Sequence, residues 1–386
     1  MYGCVVARRK RPYTLLNDEL NEALDSLLTR ARSIYGRDSG IELVREVAVS
    51  ALRLLKDGAN RGNLRLVNHA LKELRHAFRV FAPYEHVRKV AVFGSARTLQ
   101  GSGEWEQAER FAELIVKQGW MVITGAGGGI MAAAQGGAGR EASFGVNIRL
   151  PFEQQANETI AGDSKLISFR YFFTRKVTFV KEAHAIALLP GGFGTLDEGF
   201  EALTLIQTGK SEILPVVFLD APGGTYWRDW FEFVKNQIHA SGWIHEEDFA
   251  LFTVTDDVDE ALHEILLFYS NYHSMRYVRD ELVLRVRIAP DEQRLAELNE
   301  EFAELLADGP LRVGPPHPYE GDELPDHARL FLRFNRRRAG RLRQLIDRLN
   351  EIVEEDAASP RDAVPREIFE TAIGSQALLE QEEEEA

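Results

Sequence analysis

Three glycine-rich loops give the sequence the composition of a phosphate-binding site. Glycine lets backbone N–H groups approach an anion closely, and a helix that begins directly after such a loop adds its dipole and its unpaired N–H donors. Several such loops at one edge of a sheet favour a phosphorylated ligand. The loops are Gly94-Ser95-Ala96-Arg97, Gly125-Ala126-Gly127-Gly128-Gly129 and Pro190-Gly191-Gly192-Phe193-Gly194-Thr195.

Two common nucleotide-binding motifs fit these loops poorly. Residues 127–132 can be aligned with the G-x-G-x-x-A form of the dinucleotide motif, but the next apolar run, Phe144–Leu150, does not end in the acidic residue that would bind ribose. The loop at residue 190 also has no role in a standard nicotinamide site. A P-loop requires G-x-x-x-x-G-K-[ST], and the sequence contains no such run. A nicotinamide oxidoreductase stays an alternative, whereas a P-loop NTPase is disfavoured.

The elements that must position the loops are those of a doubly wound α/β domain. Short apolar runs alternate with helical patterns between residues 87 and 272, and nearly continuous apolar strands are typical of a parallel sheet covered on both faces. In such a sheet, ligands bind beyond the carboxyl ends of the strands, where the loops lie. The predicted strands are residues 87–93, 120–124, 144–148, 184–189 and 213–219.

We therefore predict a Rossmann-like, doubly wound parallel sheet with additions at both ends. Residues 1–86 have helical periodicity and predict an N-terminal helical segment used for packing or oligomerisation. Residues 273–355 predict a small α+β appendage, in which residues 291–307 form a helix. Residues 356–386 are polar and acidic, which favours a weak helix or disorder.

The composition excludes several classes of protein. The 386 residues carry a formal charge of −14, which argues against general nucleic-acid binding. One cysteine, Cys4, allows neither an intramolecular disulfide nor a cysteine-based zinc cluster. No apolar run approaches the ~20 residues of a membrane span, and no apolar signal-peptide core follows the basic N-terminal residues. We expect a cytoplasmic protein without nucleic-acid or membrane partners.

Four segments together resemble the Lonely guy (LOG) family of nucleoside 5'-monophosphate phosphoribohydrolases. Pro190-Gly-Gly-Phe-Gly-Thr-Leu-Asp-Glu198 is similar to the family signature P-G-G-x-G-T-x-x-E, and Arg175-Lys176 resembles the family's Arg-Lys pair, 23 residues before Glu198. Residues 127–134 are similar to the first glycine loop of the family. Residues 145–154 resemble its longer branch, as does the appendage. The resemblance spans about residues 87–350.

The resemblance implies cleavage of the N-glycosidic bond of a nucleoside 5'-monophosphate, with a free base and ribose 5-phosphate as products and no metal or organic cofactor. Glu198 would stabilise the oxocarbenium-like state and activate or position water, and Arg175 would hold the phosphate or assist the departing base. AMP or an N6-modified AMP is the default substrate, and a homo-oligomer of two or more subunits is expected. The implied substrate-binding residues are Gly94, Ser95, Gly127, Gly128, Gly129, Glu153, Lys176, Gly191, Gly192, Gly194, Thr195 and Thr204.

Other interpretations of the same residues stay open. Thr195-x-x-Glu198 is also a capping box, and glycine loops also occur as simple tight turns. A non-catalytic nucleotide sensor of the same fold would not need the pair of Arg175 and Glu198. Ala132 stands where the longer branch often carries Glu, so the base specificity is open. The arginines between residues 336 and 343 predict either a solvated helix face or a regulatory anion site on the appendage. Nothing in the sequence resembles a pyridoxal phosphate lysine in its usual setting.

Overall fold

The structure is a computed structural model that describes residues 13–36, 39–149, 155–320 and 324–355, the side chains of 353–355 excepted. The chain divides into two compact units, Met1–Lys72 and Glu73–Ala386. The predicted limits of the four segments, at residues 86, 272 and 355, stay predictions. The predicted acidic tail, residues 356–386, lies outside the described residues.

The first unit is helical. It contains α1 (Asp18–Tyr35), α2 (Ile41–Lys56) and the first part of α3 (Arg61–Phe81). The side chain of Asn17 caps α1 by accepting a hydrogen bond from the N–H of Leu20 at 2.8 Å. Leu24 of α1 and Val49 of α2 belong to the small apolar core of this unit.

Seven parallel strands form the central sheet of the second unit, in the order β4-β3-β2-β1-β5-β6-β7. All residues of β1, β2, β5 and β6 are buried, which accounts for their nearly continuous apolar sequences, because a sheet covered on both faces needs apolar residues at every position. The predicted Rossmann-like fold class is confirmed. The strands are β1 (Lys89–Phe93), β2 (Met121–Thr124), β3 (Ser143–Ile148), β4 (Leu166–Phe169), β5 (Ala185–Leu188), β6 (Val216–Leu219) and β7 (Thr253–Thr255).

The helices that flank this sheet start and pack for identifiable reasons. Ser102 caps the first of them by accepting a hydrogen bond from the N–H of Trp105. The next helix, Ile130–Ala138, is rich in small residues because it packs closely against the helix Gly103–Lys117. A Cβ added to Gly137 would be 2.0 Å from the carbonyl oxygen of Glu109. The helices are α4 (Gly103–Lys117), α5 (Ile130–Ala138), α6 (Phe172–Glu182), α7 (Phe193–Gln207), α8 (Tyr226–Phe233) and α9 (Val258–Phe268).

The order of the strands brings the three glycine loops together. β1 lies between β2 and β5. The chain therefore builds the sheet outward from β1 on one side, through β2, β3 and β4, and then returns to build the other side with β5, β6 and β7. Val90 of β1 is in register with Val122 of β2 on one side and with Ala185 of β5 on the other. The loops that follow these three strands therefore leave the same edge of the sheet side by side, at the topological switch point where α/β proteins bind ligands.

The appendage is a four-stranded antiparallel sheet in the order β10-β11-β9-β8, with two helices. The side chain of Asn350 fixes the last helix to it, since its Oδ1 accepts a hydrogen bond from the N–H of Tyr272 at 2.8 Å. The helix predicted over 291–307 is wrong in its second part, because the chain turns into a strand at Leu306. The elements are β8 (Tyr272–Val278), β9 (Glu281–Val286), α10 (Glu292–Glu301), β10 (Leu306–Gly314), β11 (Ala328–Phe334) and α11 (Ala339–Glu355). None of the described helices combines the length and the hydrophobicity that a membrane crossing requires.

Candidate active site

A cavity of about 760 Å³ lies where β1 and β5 end. Its wall is made by the loop after β1, the loop after β5 with the first turns of α7, and side chains from α5 and α6. The lining residues are Phe93, Gly94, Ser95, Ala96, Arg97, Met131, Phe172, Arg175, Gly191, Gly192, Phe193, Gly194, Thr195, Leu196, Asp197 and Glu198.

Backbone hydrogen bonds tie the three glycine loops to one another. The N–H of Ser95 donates to the carbonyl of Pro190 at 3.1 Å, and the N–H of Ile130 donates to the carbonyl of Ser95 at 3.0 Å. The hydroxyl of Tyr226 donates to the carbonyl of Gly191 at 2.6 Å. The loop after β1 therefore lies between the other two and is fixed to both.

Glycine is required at two positions in these loops. Gly129 has φ +60°, and a Cβ there would lie 2.2 Å from the carbonyl oxygen of Ser95. A Cβ at Gly191 would lie 2.1 Å from Oγ1 of Thr195 and 2.9 Å from the backbone nitrogen of Ser95. The loops approach each other so closely that a side chain at either position would separate them.

The first turn of α7 differs from a capping box. The helix begins at Phe193, its N-cap is Gly192, and among the described residues no side chain caps it. Thr195 is thus the third residue of the helix rather than its cap, and its N–H donates to the carbonyl of Gly192 at 3.0 Å. The capping-box interpretation of Thr195 and Glu198 is wrong. Glu198 lies one turn after Thr195 and lines the cavity.

Arg175 reaches the cavity from α6 and is held there by its surroundings. Its Nε donates to the carbonyl of Val146 at 3.0 Å, and its guanidinium carbon lies 5.3 Å from the centre of the Phe179 ring. Gly125 leaves room for this side chain, because a Cβ at that position would be 3.0 Å from Nη2 of Arg175. Burial lowers the pKa of Arg175, and the charge of Glu198 opposes this effect. An arginine remains cationic at neutral pH under such conditions.

Glu198 is balanced by two cations. Burial raises the pKa of Glu198 above that of an ordinary glutamate, while Lys176 and Arg175 act in the opposite direction. Nζ of Lys176 is 3.7 Å from the carboxylate of Glu198, and it is also 2.8 Å from Asp197 and 2.5 Å from Glu201. Lys176 therefore interacts with three carboxylates of α7. It does not itself line the cavity, and it stabilises the position of Glu198 at the cavity wall.

The structure brings most of the predicted site residues together. The pair of Arg175 and Glu198 lines the cavity, as do Gly94, Ser95, Gly191, Gly192, Gly194 and Thr195.

The other predicted residues have different positions. Gly127, Gly128 and Gly129 form the loop beside Ser95 and Ala96 but are not among the lining residues of the described part of the chain. Lys176 interacts with Glu198 but does not line the cavity, as described above. Thr204 is exposed on α7 and does not line the cavity, and Glu153 lies outside the described residues.

Sequence reasoning missed several residues that complete the site. Met131 and Phe172 line the cavity from α5 and α6. Met131 belongs to the segment 127–134 but was not predicted as a site residue, and no motif marks Phe172. Asn157 supports the first glycine loop, because its Nδ2 donates to the carbonyl of Gly127 at 3.0 Å and to Oε1 of Gln135 at 2.6 Å. Asn157 is distant from the loop in sequence, so only the fold reveals this support.

The donor set of the cavity does not fit pyridoxal phosphate. That cofactor is held as a Schiff base on a lysine, and no lysine is among the described residues that line the cavity. Lys176, the neighbour of Arg175 in sequence, is bound to the carboxylates of Asp197 and Glu201. Among the described residues, no group of three or more His, Cys, Asp or Glu side chains is placed to hold a metal ion.

The fold and the site define a Rossmann-like protein whose glycine loops surround an arginine and a glutamate at the carboxyl ends of parallel strands. Residues 128–265 match the family model described as "Possible lysine decarboxylase", which is the model of the LOG family. The resemblance to the LOG family is thereby confirmed over these residues. No curated protein matches the chain.

Solved structures resemble about half of the chain. They include the molybdenum cofactor binding protein of Rippkaea orientalis, which is 18% identical with a TM-score of 0.31 over 46% of this chain and 94% of that one. The molybdenum cofactor carrier protein of Chlamydomonas reinhardtii is 22% identical with a TM-score of 0.32 over 46% and 94% of the two chains. DNA processing protein A of Helicobacter pylori is 12% identical with a TM-score of 0.31 over 46% and 80%. Structural similarity at these TM-scores does not indicate a shared function.

Proposed function

We propose that the protein hydrolyses the N-glycosidic bond of a nucleoside 5'-monophosphate and releases a free base and ribose 5-phosphate. The observation that carries this proposal is that Glu198 and Arg175 line the same cavity as two of the glycine loops. An anion site beside a buried carboxylate is what cleavage of a phosphorylated nucleoside requires. The cavity volume of about 760 Å³ is in the range of small-ligand sites.

In this proposal the glycine loops bind the phosphate. Backbone N–H groups at the start of α7 offer donors and the positive end of the helix dipole, and the hydroxyl of Thr195 is close to them. The phosphate does not react, so its binding energy serves to hold the ribose in place beside the carboxylate. Arg175 also lines the cavity, and the N–H groups of its guanidinium are hydrogen-bond donors in a fixed planar geometry, for the phosphate or for the departing base.

Glu198 acts on the ribose. Breaking the bond between C1' and the base nitrogen places positive charge on the sugar, and a carboxylate nearby stabilises that charge. The same carboxylate accepts a proton from the attacking water. Burial raises the pKa of Glu198, which makes it a stronger base than a solvated carboxylate, while Lys176 and Arg175 favour its ionised form.

The rim of the cavity supports an aromatic base as the leaving group. Phe172 and Phe193 line the cavity and are 53% and 93% exposed, so their rings are available to a ligand. Met131 adds a polarisable thioether. AMP or an N6-modified AMP is the proposed substrate, and neither a metal nor an organic cofactor is part of the proposed reaction. The homo-oligomer and the cytoplasmic location stay predictions.

Base release tests the proposal. The purified full chain is incubated with AMP, GMP, CMP, UMP and isopentenyladenosine monophosphate, and the released bases are separated by chromatography. We expect Glu198→Gln to lower base release about a thousandfold while AMP still binds. Glu201→Gln is the matched control, because Glu201 also contacts Lys176 but does not line the cavity. Full activity of Glu198→Gln contradicts the assignment, and binding of AMP to the wild type without release of adenine favours a nucleotide sensor.

A further inference from the structure

A second cavity, of about 480 Å³, lies at the other end of α7. The end of this helix and the turn after it form one wall, and the appendage forms the other through β8, the turn after β11 and the start of α11. Its lining residues are Ile206, Gln207, Thr208, Gly209, Lys210, Ser211, Glu212, Ile213, Met275, Arg276, Tyr277, Phe334, Arg336, Ala339 and Leu342.

Cationic side chains from three separate segments converge on this cavity in a chain whose net charge is −14. They are Lys210, Arg276 and Arg336, and Glu212 is the one carboxylate among the described lining residues. The rest of the wall combines apolar side chains, such as Ile206 and Leu342, with uncharged polar ones, such as Gln207 and Ser211. A partly apolar cavity with several cationic groups has the composition of a site for a small organic anion.

Lys210 and Arg336 differ from three other arginines in α11 and just before it. Arg338 pairs with Glu247, Arg341 with Glu304 and Arg343 with Glu264. These three arginines are neutralised by acidic residues, but they do not form the solvated helix face that the sequence suggested, because Arg338 precedes α11 and Arg343 is buried. Within the described part of the chain, by contrast, neither Lys210 nor Arg336 forms an ion pair, and both are exposed at the cavity.

The backbone of Arg336 adds an independent observation. Its φ is +61°, in the left-handed region that side chains other than glycine rarely adopt. The turn is fixed on both sides, because the N–H of Asn335 donates to Leu305 and its side chain accepts a hydrogen bond from the N–H of Arg337. In this conformation the guanidinium lies 4.4 Å from the centre of the ring of Tyr277, which also lines the cavity. Residues held in such strained conformations cluster at functional sites.

We propose that this cavity binds a small organic phosphate. A doubly charged group matches several cations from separate segments better than a carboxylate does, and both Arg and Lys bind phosphate by charge-assisted hydrogen bonds. Apolar lining residues such as Ile206, Met275 and Leu342 contact the organic part of the ligand. The site is distinct from the cavity that holds Arg175 and Glu198, and the proposal does not depend on the reaction assigned to that cavity.

Phenyl phosphate is the probe that tests this site, with benzoate and inorganic phosphate compared at the same concentrations. Binding to the full chain is measured by isothermal titration calorimetry. We expect phenyl phosphate to bind, and Arg336→Gly and Lys210→Ala each to weaken its binding about tenfold, as the loss of one charge-assisted hydrogen bond does. Arg336→Gly removes the cation but suits the left-handed backbone, so this variant should fold.

Two further variants locate the bound probe. Arg337→Ala is the matched control, because Arg337 is an exposed arginine next in sequence that does not line the cavity, and Arg175→Ala disables the first cavity. Arg337→Ala should bind phenyl phosphate as the wild type does. Arg175→Ala should lose any binding at the first cavity but keep the binding that depends on Arg336 and Lys210. Three results would overturn the proposal. They are loss of all binding in Arg175→Ala alone, equal binding in all variants, and no binding to the wild type. Benzoate binding as tightly as phenyl phosphate would overturn the assignment to a phosphate.

Discussion

Gly125→Ala tests how closely the position of Arg175 is controlled. A Cβ at this position would lie 3.0 Å from Nη2 of Arg175 and 2.8 Å from Sδ of Met131. Ordinary contacts of a Cβ begin at 3.4 Å, so these two side chains would be too near by 0.4 Å and 0.6 Å. Gly125 is not in the left-handed region of backbone conformations. The substitution therefore adds no backbone strain, and its effect must pass through the two displaced side chains.

The size of the effect follows from that displacement. A catalytic group misplaced by 1 Å can cost about 100-fold in rate, so a shift of 0.4 Å in Arg175 should lower kcat/KM for AMP about five- to tenfold. The assay is the release of adenine, followed by chromatography over a range of AMP concentrations. Gly136→Ala is the control, because a Cβ there would meet Glu109 at an ordinary 3.5 Å and alanine suits the interior of α5.

A double-mutant cycle tests whether Gly125→Ala lowers kcat/KM by displacing Arg175. If Gly125→Ala acts by moving Arg175, it should change kcat/KM by less than about twofold once Arg175 has been replaced by alanine. A full effect of Gly125→Ala in the Arg175→Ala background would show that another contact is responsible. Unchanged kcat/KM in Gly125→Ala alone would refute the argument that the placement of this guanidinium matters.

Four further predictions concern the loop at residue 190 and Glu198. Gly191→Ala should reduce adenine release at least about 100-fold, because its Cβ would be 2.1 Å from Oγ1 of Thr195; release at the wild-type rate would contradict the tight packing of the loops. Tyr226→Phe removes the 2.6 Å hydrogen bond to Gly191, and we expect KM for AMP to rise about fivefold; an unchanged KM would mean that the loop needs no such support. Because burial raises the pKa of Glu198, kcat/KM should fall on the acid side at a pH above the 4.5 of an ordinary glutamate, and a pH profile with its acid limb below that value would argue against Glu198 as the base. The raised pKa also means that folding disfavours the ionised carboxylate, so the wild type loses stability as the pH rises from 4.5 through the pKa of the folded state. Glu198→Gln lacks this loss and should unfold at a higher temperature than the wild type at pH 8 but not at pH 4; calorimetry that finds equal melting temperatures at both pH values would contradict this.

The central strands could be predicted from the sequence, whereas the strands at the edges of the sheet could not. β1, β2, β5 and β6 are buried along their whole length, and their apolar runs are visible in the sequence. β4 and β7 are short and only partly buried, so neither contributes a continuous apolar run to the sequence. β8 was also missed, because polar residues such as His273 and Arg276 interrupt its apolar pattern.

The candidate site was predictable where its residues share one contiguous motif. The segment from Gly191 to Glu198 supplies eight of the sixteen residues that line the cavity, and Arg175 follows from its spacing to that segment. Thr204 was predicted on the same helix, but it lies nine residues after Thr195, which is about two and a half turns and therefore on the opposite face of α7. Met131 and Phe172 come from other helices, and only the packing of α5 and α6 brings them to the cavity.

Backbone and side-chain groups share the lining of the first cavity, which makes the base preference that we propose for it open to redesign. At Gly129 and Gly191 of the glycine loops, any added side chain would collide with a neighbouring loop. Phe172 and Phe193 also line the cavity, but their rings are mostly exposed and contribute little to the packed core. Substitutions of exposed residues usually change stability by less than about 0.5 kcal/mol. A small library at these two positions would therefore sample new base preferences while the glycine loops proposed to bind phosphate and the folded scaffold remain intact.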